Sequence, residues 1–398
     1  MLIVPMEQVR PGMKLAVTVS HPEQPEHDLL KPGFELNHEV IGRLKGLGVE
    51  TIYVDYPDLA DLDKHMAGHL SPARQQVYQQ IRNTMQAVQK QAKPTVSFAD
   101  YYACTRELIL TLMQQGEHAI YLDQMSGKLG GHAVAHATAV AHLSLMLGIR
   151  LETYLVQQRS RLEPSHARET VNLGVAAMLH DIGVAQLPPA ARAFSRVSPP
   201  ADEKLLAEWR THPQRGYDLI RGGVEATAAS AVLHHHQHFD GSGFPAPDLK
   251  PGEEARNVGE RIHIFARILA AADLYDRLTA TETGQRRQNI EILHLMRTRF
   301  ATTLDPMILK ALPAVIPPFP PGMLVTLSDA TDAVVVAVKP ERPYYPQVRR
   351  IEDPDTLKLA SGTLDMALQT GLKIDKVAGQ PVGDMVPELP NANAVRAA

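Results

Sequence analysis

The chain has 398 residues, 44% of them hydrophobic and 21% charged, a length that can bury more than one core. A formal net charge of −4 excludes a global basic field for nucleic acid or an acidic membrane surface. An anionic substrate therefore needs a local cationic site, which a bound metal can supply.

The single cysteine, Cys104, excludes an intramolecular disulfide and fits a cytoplasmic setting. In "YYACTREL" it reads as a small buried hydrophobe. The first residues, "MLIVPMEQVRPGMKL", place Arg10 and Pro11 where a signal peptide needs apolar residues. No run is read as reaching the ~18 apolar residues of a membrane span.

In chain order, residues 1–65 predict a small α+β domain. "KLAVTVS" alternates as a strand does, "NHEVIGRLKGLGV" has helical spacing with a stop at Gly48, and "ETIYVDY" reads as a second strand. Residues 66–128 predict a helical connector. Ser71 and Pro72 suit an N-cap and first helical position, and Pro94 divides two helices. Their Gln-rich faces are consistent with a homodimer through this connector, or with plain solvated helices. Residues 129–312 predict a block of helices. After "PPFPPG" the period changes to two, so residues 313–398 predict a β-rich segment that ends in a loose tail, "LPNANAVRAA". The expected fold class is mainly α.

Thirteen of the 18 histidines lie between His118 and His294, inside or beside the helical block. In "AAMLHDIG", His180 and Asp181 close an apolar helical run, and side chains adjacent on a helix point about 100° apart. The imidazole can hold one cation while the carboxylate bridges to another. In "HAVAHATAVAHLS", His132 and His136 share a face, and His136 has apolar neighbours at buried spacing. His212 starts a helix before Pro213. In "VLHHHQHFDGSGFP", His235 and His236 end a helix as His180 and Asp181 do. In "ILAAADLYD", Asp273 follows small apolar residues, and a buried carboxylate there needs a cation; Asp276 could cap or pair locally. Each motif is weak alone. Together His136, His180, Asp181, His212, His235, His236 and Asp273 are seven N/O donors without a thiolate. That set suits two divalent first-row ions such as Fe or Mn, and such a pair can clamp a phosphodiester.

The motifs "HATAVA", "LHDIG", "HPQRG", "HHQHFDGSGFP" and "AADLYD", in that order, resemble the HD-GYP domains. These are a branch of the HD metal-dependent phosphohydrolases. "VRPGMKL" onward resembles the domain that often precedes them, and "FPPGMLVTLSDATDAVVVAV" the β-segment that often follows. The resemblance implies an all-helical HD domain that hydrolyses cyclic di-GMP to linear pGpG or GMP in bacterial signalling, with His180 and Asp181 at the reaction centre. It also implies that His180, Asp181 and Asp273 hold one metal. Asp181 bridges to a second, held by His212, His235 and His236, and His136 completes the first site or serves a third. His234 and His238 fall outside that set. The loop Gly243, Phe244 and Pro245 stands for the signature triplet and would face substrate or signalling partners.

The departures define the alternatives. Phe244 lacks the usual tyrosine hydroxyl, Gln237 stands for a glutamate, and Val184 for a lysine placed at the scissile phosphate. His132 stands for a glutamate of three-metal members, which favours two metals. The arginine segment after Asp273 is displaced to Arg286 and Arg287, the candidates for phosphate contact. With these changes the chain could instead be an inactive ligand sensor or interaction module, or could act on another nucleotide.

Overall fold

The computed structural model describes residues 1–21, 24–49, 51–56, 72–90, 98–115, 132–192, 202–245, 258–281, 286–353 and 358–388. Ser71, Pro94 and the tail "LPNANAVRAA" from 389 fall outside them.

The chain begins with β1 (Leu2–Pro5), a hairpin of β2 (Val19–His21) and β3 (Gln24–Leu30), α1 (His38–Gly46) and β4 (Thr51–Val54). Asn37 caps α1, its side chain accepting from Val40 N at 2.9 Å. Gly48, at φ +77°, turns the chain out of the helix toward β4. β4 pairs antiparallel with β1. The expected strand "KLAVTVS" is reduced to isolated bridges at Lys14 and Leu15 and the short β2.

Helices α2 (Pro72–Lys90) and α3 (Phe98–Gln115) follow. The α2 stripe Val77, Ile81, Met85 and Val88 is buried in one core with Val140, Leu147 and Val175, while Gln75, Gln79, Gln86 and Gln89 stay exposed. The helical spacing of the stripe is thus satisfied within the chain.

The central helices are α4 (His132–Arg150), α5 (Glu152–Gln158), α6 (Pro164–Ala167), α7 (Val171–Leu179), α8 (Pro189–Arg192), α9 (Glu203–Trp209), α10 (His212–Ile220), α11 (Ala226–His234), α12 (Ile264–Leu278), α13 (Asn289–Arg299) and α14 (Pro306–Val315). α4 packs against α7 and α12 at the centre. Its alanines 137, 139 and 141 let neighbouring backbones approach closely. Among the described residues, α4 is also long and apolar enough to cross a membrane by composition, more so than the sequence reading allowed; most of that stretch is buried inside the fold. At the base of α12, Arg267 donates to Tyr154 Oη at 2.9 Å and pairs with Asp305, joining α12, α5 and the cap of α14.

A six-stranded antiparallel sheet follows, from β5 (Leu324–Leu327), β6 (Asp332–Ala337), β7 (Gln347–Asp353), β8 (Lys358–Asp365), β9 (Ile374–Val377) and β10 (Gln380–Pro381), in the order β10-β9-β5-β6-β7-β8. The two ends of the chain meet here. Ile3 N donates to Gly322 O at 2.8 Å, and Leu2, Val4, Leu15 and Leu36 share a core with Val334 and Leu359. The period-2 faces at both ends of the chain are thus partly buried against each other.

Candidate metal centre

Five helical segments deliver the site. His136 projects from the alanine-rich middle of α4. His180 caps α7, and Asp181 follows at the entry to a short 3-10 turn, Ile182–Gln186. His212 opens α10, and His235 and His236 follow the end of α11. Asp273 sits on the buried face of α12. All seven expected donors converge, and all are buried except His236, which is 11% exposed at its side chain.

The imidazoles are locked by one repeated local device. Nδ1 of His180, His212 and His235 lies 2.8, 2.7 and 2.6 Å from the carbonyl oxygen three residues earlier, on Ala177, Trp209 and Val232. A carbonyl only accepts, so each Nδ1 carries a proton and each Nε2 turns inward. Nε2 of His212 and of His235 are 3.2 Å apart, and Nε2 of His180 and of His136 3.3 Å apart. In the His212 and His235 pair, two unprotonated nitrogens at this distance would repel unless a cation lay between them. Nε2 of His236 and Oδ1 of Asp181 are buried without a hydrogen-bond partner. These orphaned acceptors fit a metal centre better than a closed hydrogen-bond network.

Asp181 is shared. Its Oδ1 faces His212 Nε2 at 3.3 Å and His235 Nε2 at 3.8 Å. Its Oδ2 faces His180 Nε2 at 3.5 Å and His136 Nε2 at 3.6 Å. Two groups of donors could thus each hold an ion, one of Asp181, His212, His235 and His236, the other of Asp181, His136 and His180. Asp273 Oδ1 reaches the second group, 2.9 Å from His136 Nε2 and 3.6 Å from His180 Nε2.

The charges follow the geometry. Burial opposes ionisation of Asp181, yet His180, His212, His235 and Arg277 hold its carboxyl well below the usual range. Burial likewise opposes the charge of Asp273, and Arg277 and His136 more than offset it. Burial pushes His212 and His236 down, which keeps them neutral and ligand-ready. His136 differs: burial and Arg277 push it down, but Asp273 and Asp276 lift it to about 9.

Two residues beside these donors were not read as part of the site. Asp276, considered only as a local cap or pair, places Oδ2 2.6 Å from His136 Nδ1, a carboxylate-imidazole couple that orients a ligand ring. Arg277 places Nε 2.8 Å from both oxygens of Asp273 and Nη2 3.3 Å from Asp181 Oδ2. Asp276 and Arg277 lie three and four residues after Asp273, so the helical repeat carries all three on one side of α12.

Phe244 stacks on His236 with ring centres 4.5 Å apart and meets Trp209 edge-on. Its loop is tied down by a hydrogen bond from Gln237 Nε2 to Pro245 O. An ionised glutamate could not donate that bond, so Gln237 suits this loop. Val184 is buried with Leu187, Ala191 and Trp209, against Phe244. A Cβ on Gly243 would lie 2.1 Å from His236 O, and one on Gly183 2.1 Å from His212 O; both positions need glycine for backbone contact.

His234 bonds toward Ser230 O at 3.0 Å and His238 toward Ser242 Oγ at 2.8 Å. Arg287 donates to the carbonyls of Leu278 and Ala280, at the end of α12. Arg286 bridges to Ala280. The side chain of His132 lies outside the described residues.

Residues 142–308 match the HD domain family model. The helical block, most of which that match covers, carries the motifs that resemble the HD-GYP domains. Over 204 residues, half of this chain, it is 27% identical to the cyclic di-GMP phosphodiesterase PA4108 of Pseudomonas aeruginosa, of which it covers 43%. Over 107 residues, 26% of this chain, it is 33% identical to the cyclic di-GMP phosphodiesterase response regulator RpfG of Xanthomonas campestris pv. campestris, covering 25% of that protein. The chain spans less than half the length of either relative.

Proposed function

We infer that the HD domain is a metal-dependent phosphodiesterase that opens cyclic di-GMP to linear pGpG or on to GMP. The observation that carries this reading is Asp181, whose two oxygens face two separate histidine groups across one buried carboxylate. His212, His235, His236 and Asp181 Oδ1 would hold one divalent cation, and His136, His180, Asp273 and Asp181 Oδ2 a second, with Fe or Mn suited to the donor set. When bound, such a pair supplies Lewis acidity and lowers the pKa of bound water.

The chain's own residues do the rest. The Nδ1 bonds of His180, His212 and His235 hold their rings ready before any ligand arrives, so little reorganisation is needed. Phe244, stacked on His236 and edge-on to Trp209, gives a purine base or ribose an apolar wall beside the centre. Gly243 lets that loop lie directly on the backbone of His236, and Gln237 fixes it. Arg286 and Arg287 are the proposed contacts for the outer phosphate, on the segment just past α12.

The test is turnover of cyclic di-GMP by protein purified without oxygen and supplied with Fe(II) or Mn(II), followed by chromatography of the products. Turnover that Asp181→Ala abolishes supports the assignment. An intact substrate after prolonged incubation with metal-loaded protein contradicts it. A second reading, a sensor that binds the dinucleotide without cutting it, draws on Arg277 resting on two ligand carboxylates and on Val184 in place of a cation; bound but uncut dinucleotide distinguishes it. Turnover of a different nucleotide in a substrate panel would redirect the assignment within the same chemistry. A cytoplasmic setting, protein partners at the Gly243–Pro245 loop and a homodimer through α2 and α3 belong to this proposal as well.

A further inference from the structure

Arg277 bonds the carboxylate oxygens on one side of the centre. Its Nε engages both oxygens of Asp273 at 2.8 Å, and its Nη2 lies 3.3 Å from Oδ2 of Asp181. Oδ2 is the oxygen that faces His136 and His180, whereas Oδ1 faces His212 and His235. The guanidinium therefore covers the carboxylate surface of the His136 and His180 side. The other group keeps an uncovered Asp181 oxygen and the orphaned Nε2 of His236.

A guanidinium does not lose its charge in a protein, so it cannot vacate this position by deprotonation. It is held from another side by Trp209, with Cζ 5.7 Å from the ring centre. Its side chain is 14% exposed. A divalent ion entering beside His136 and His180 meets a resident positive charge and an Asp273 whose two oxygens are already engaged.

We propose that Arg277 is a built-in competitor for the second cation, so that the two halves of the centre load unequally. The His212, His235 and His236 half fills first, and the His136 and His180 half fills only as Arg277 withdraws from Asp273. This inference rests on the two-cation reading given above.

The experiment is a titration of metal-free full-length protein with Mn(II), read by calorimetry and by counting bound ions after dialysis, with no substrate present. The wild type should show a tight and a weak site. Arg277→Gln and Arg277→Met should tighten the weak site by about tenfold or more and leave the tight site in place, while Arg277→Lys, which keeps the charge, should retain the inequality. Circular dichroism checks that each variant is folded. Two equal sites in the wild type, or a weak site unchanged in both neutral variants, would overturn the competition and leave the centre standing. No Mn(II) bound by any form would overturn the two-cation reading itself, and this inference with it.

Discussion

The carboxylate of Asp276 stands 2.6 Å from Nδ1 of His136 and turns the other nitrogen of that ring toward Asp273, His180 and Asp181. His136 has no carbonyl lock of the kind that holds His180, His212 and His235; Asp276 does that work across 140 residues of sequence. Removing such a partner typically costs a metal site about 10–100-fold in affinity. Asp276→Ala should weaken the His136 and His180 side by that amount and leave the other side intact, as read by metal titration. Equal weakening of both sides would show that Asp276 holds the fold rather than one ring.

Gly183 joins the Asp181 turn to the first turn of α10. An added Cβ would stand 2.1 Å from His212 O and 2.6 Å from Gly216 N, both backbone atoms that cannot swing aside. Gly183→Ala should push α10 away from Asp181, at a cost of about 1–3 kcal/mol in stability. Denaturant unfolding measures the cost, and metal counting should show the His212 side depleted. A variant with wild-type stability and metal content would refute the close-packing account.

Val184 occupies the position where a phosphate-contacting lysine was expected, and it lies in an apolar cluster with Leu187, Ala191 and Trp209. A lysine here would bury an unpaired charge. Val184→Lys should therefore lower stability by about 2 kcal/mol or more, visible in denaturant unfolding, and should not raise turnover. Higher turnover at unchanged stability would show that the cluster has room for the ammonium and that the lost lysine limits the chain.

His263 caps α12, accepting from Phe265 N through Nδ1 at 3.2 Å. Burial, with Arg159, Arg267 and His234 nearby, pushes its pKa from 6.5 down to about 4. The unfolded chain then binds the proton more readily than the folded one between those values. The stabilising contribution is complete above pH 6.5 and is lost as pH falls toward about 4. His263→Asn keeps a capping acceptor and removes the titration. Its thermal midpoint should fall less steeply than the wild type's across that window; parallel slopes would contradict the assignment.

What could be read from the sequence follows how local each signal is. His180, Asp181, His235 and His236 end apolar helical runs, a pattern weak in each motif that marks them as candidate donors once the motifs are taken together. The helices 38–46 and 132–150 and the change to period-2 strands after residue 320 were legible for the same reason. Pairings between distant segments were not. The Asp276 couple to His136 depends on how α12 crosses α4, and Arg277 reads on paper as an ordinary cation in the last turn of a helix. Gln237 read as the loss of a charge, yet its amide makes a bond to Pro245 O that an ionised carboxylate cannot. The shared core of Leu2 and Val4 with Val334 and Leu359 joins residues more than 300 apart, which no local period encodes.

The most direct test of the central claim is anomalous diffraction from crystals of the full chain equilibrated with saturating Mn(II). The account predicts two manganese peaks about 3.5–4 Å apart, one beside each oxygen of Asp181, with His212, His235 and His236 around one and His136, His180 and Asp273 around the other. A single peak at saturation, or peaks away from Asp181, would contradict it.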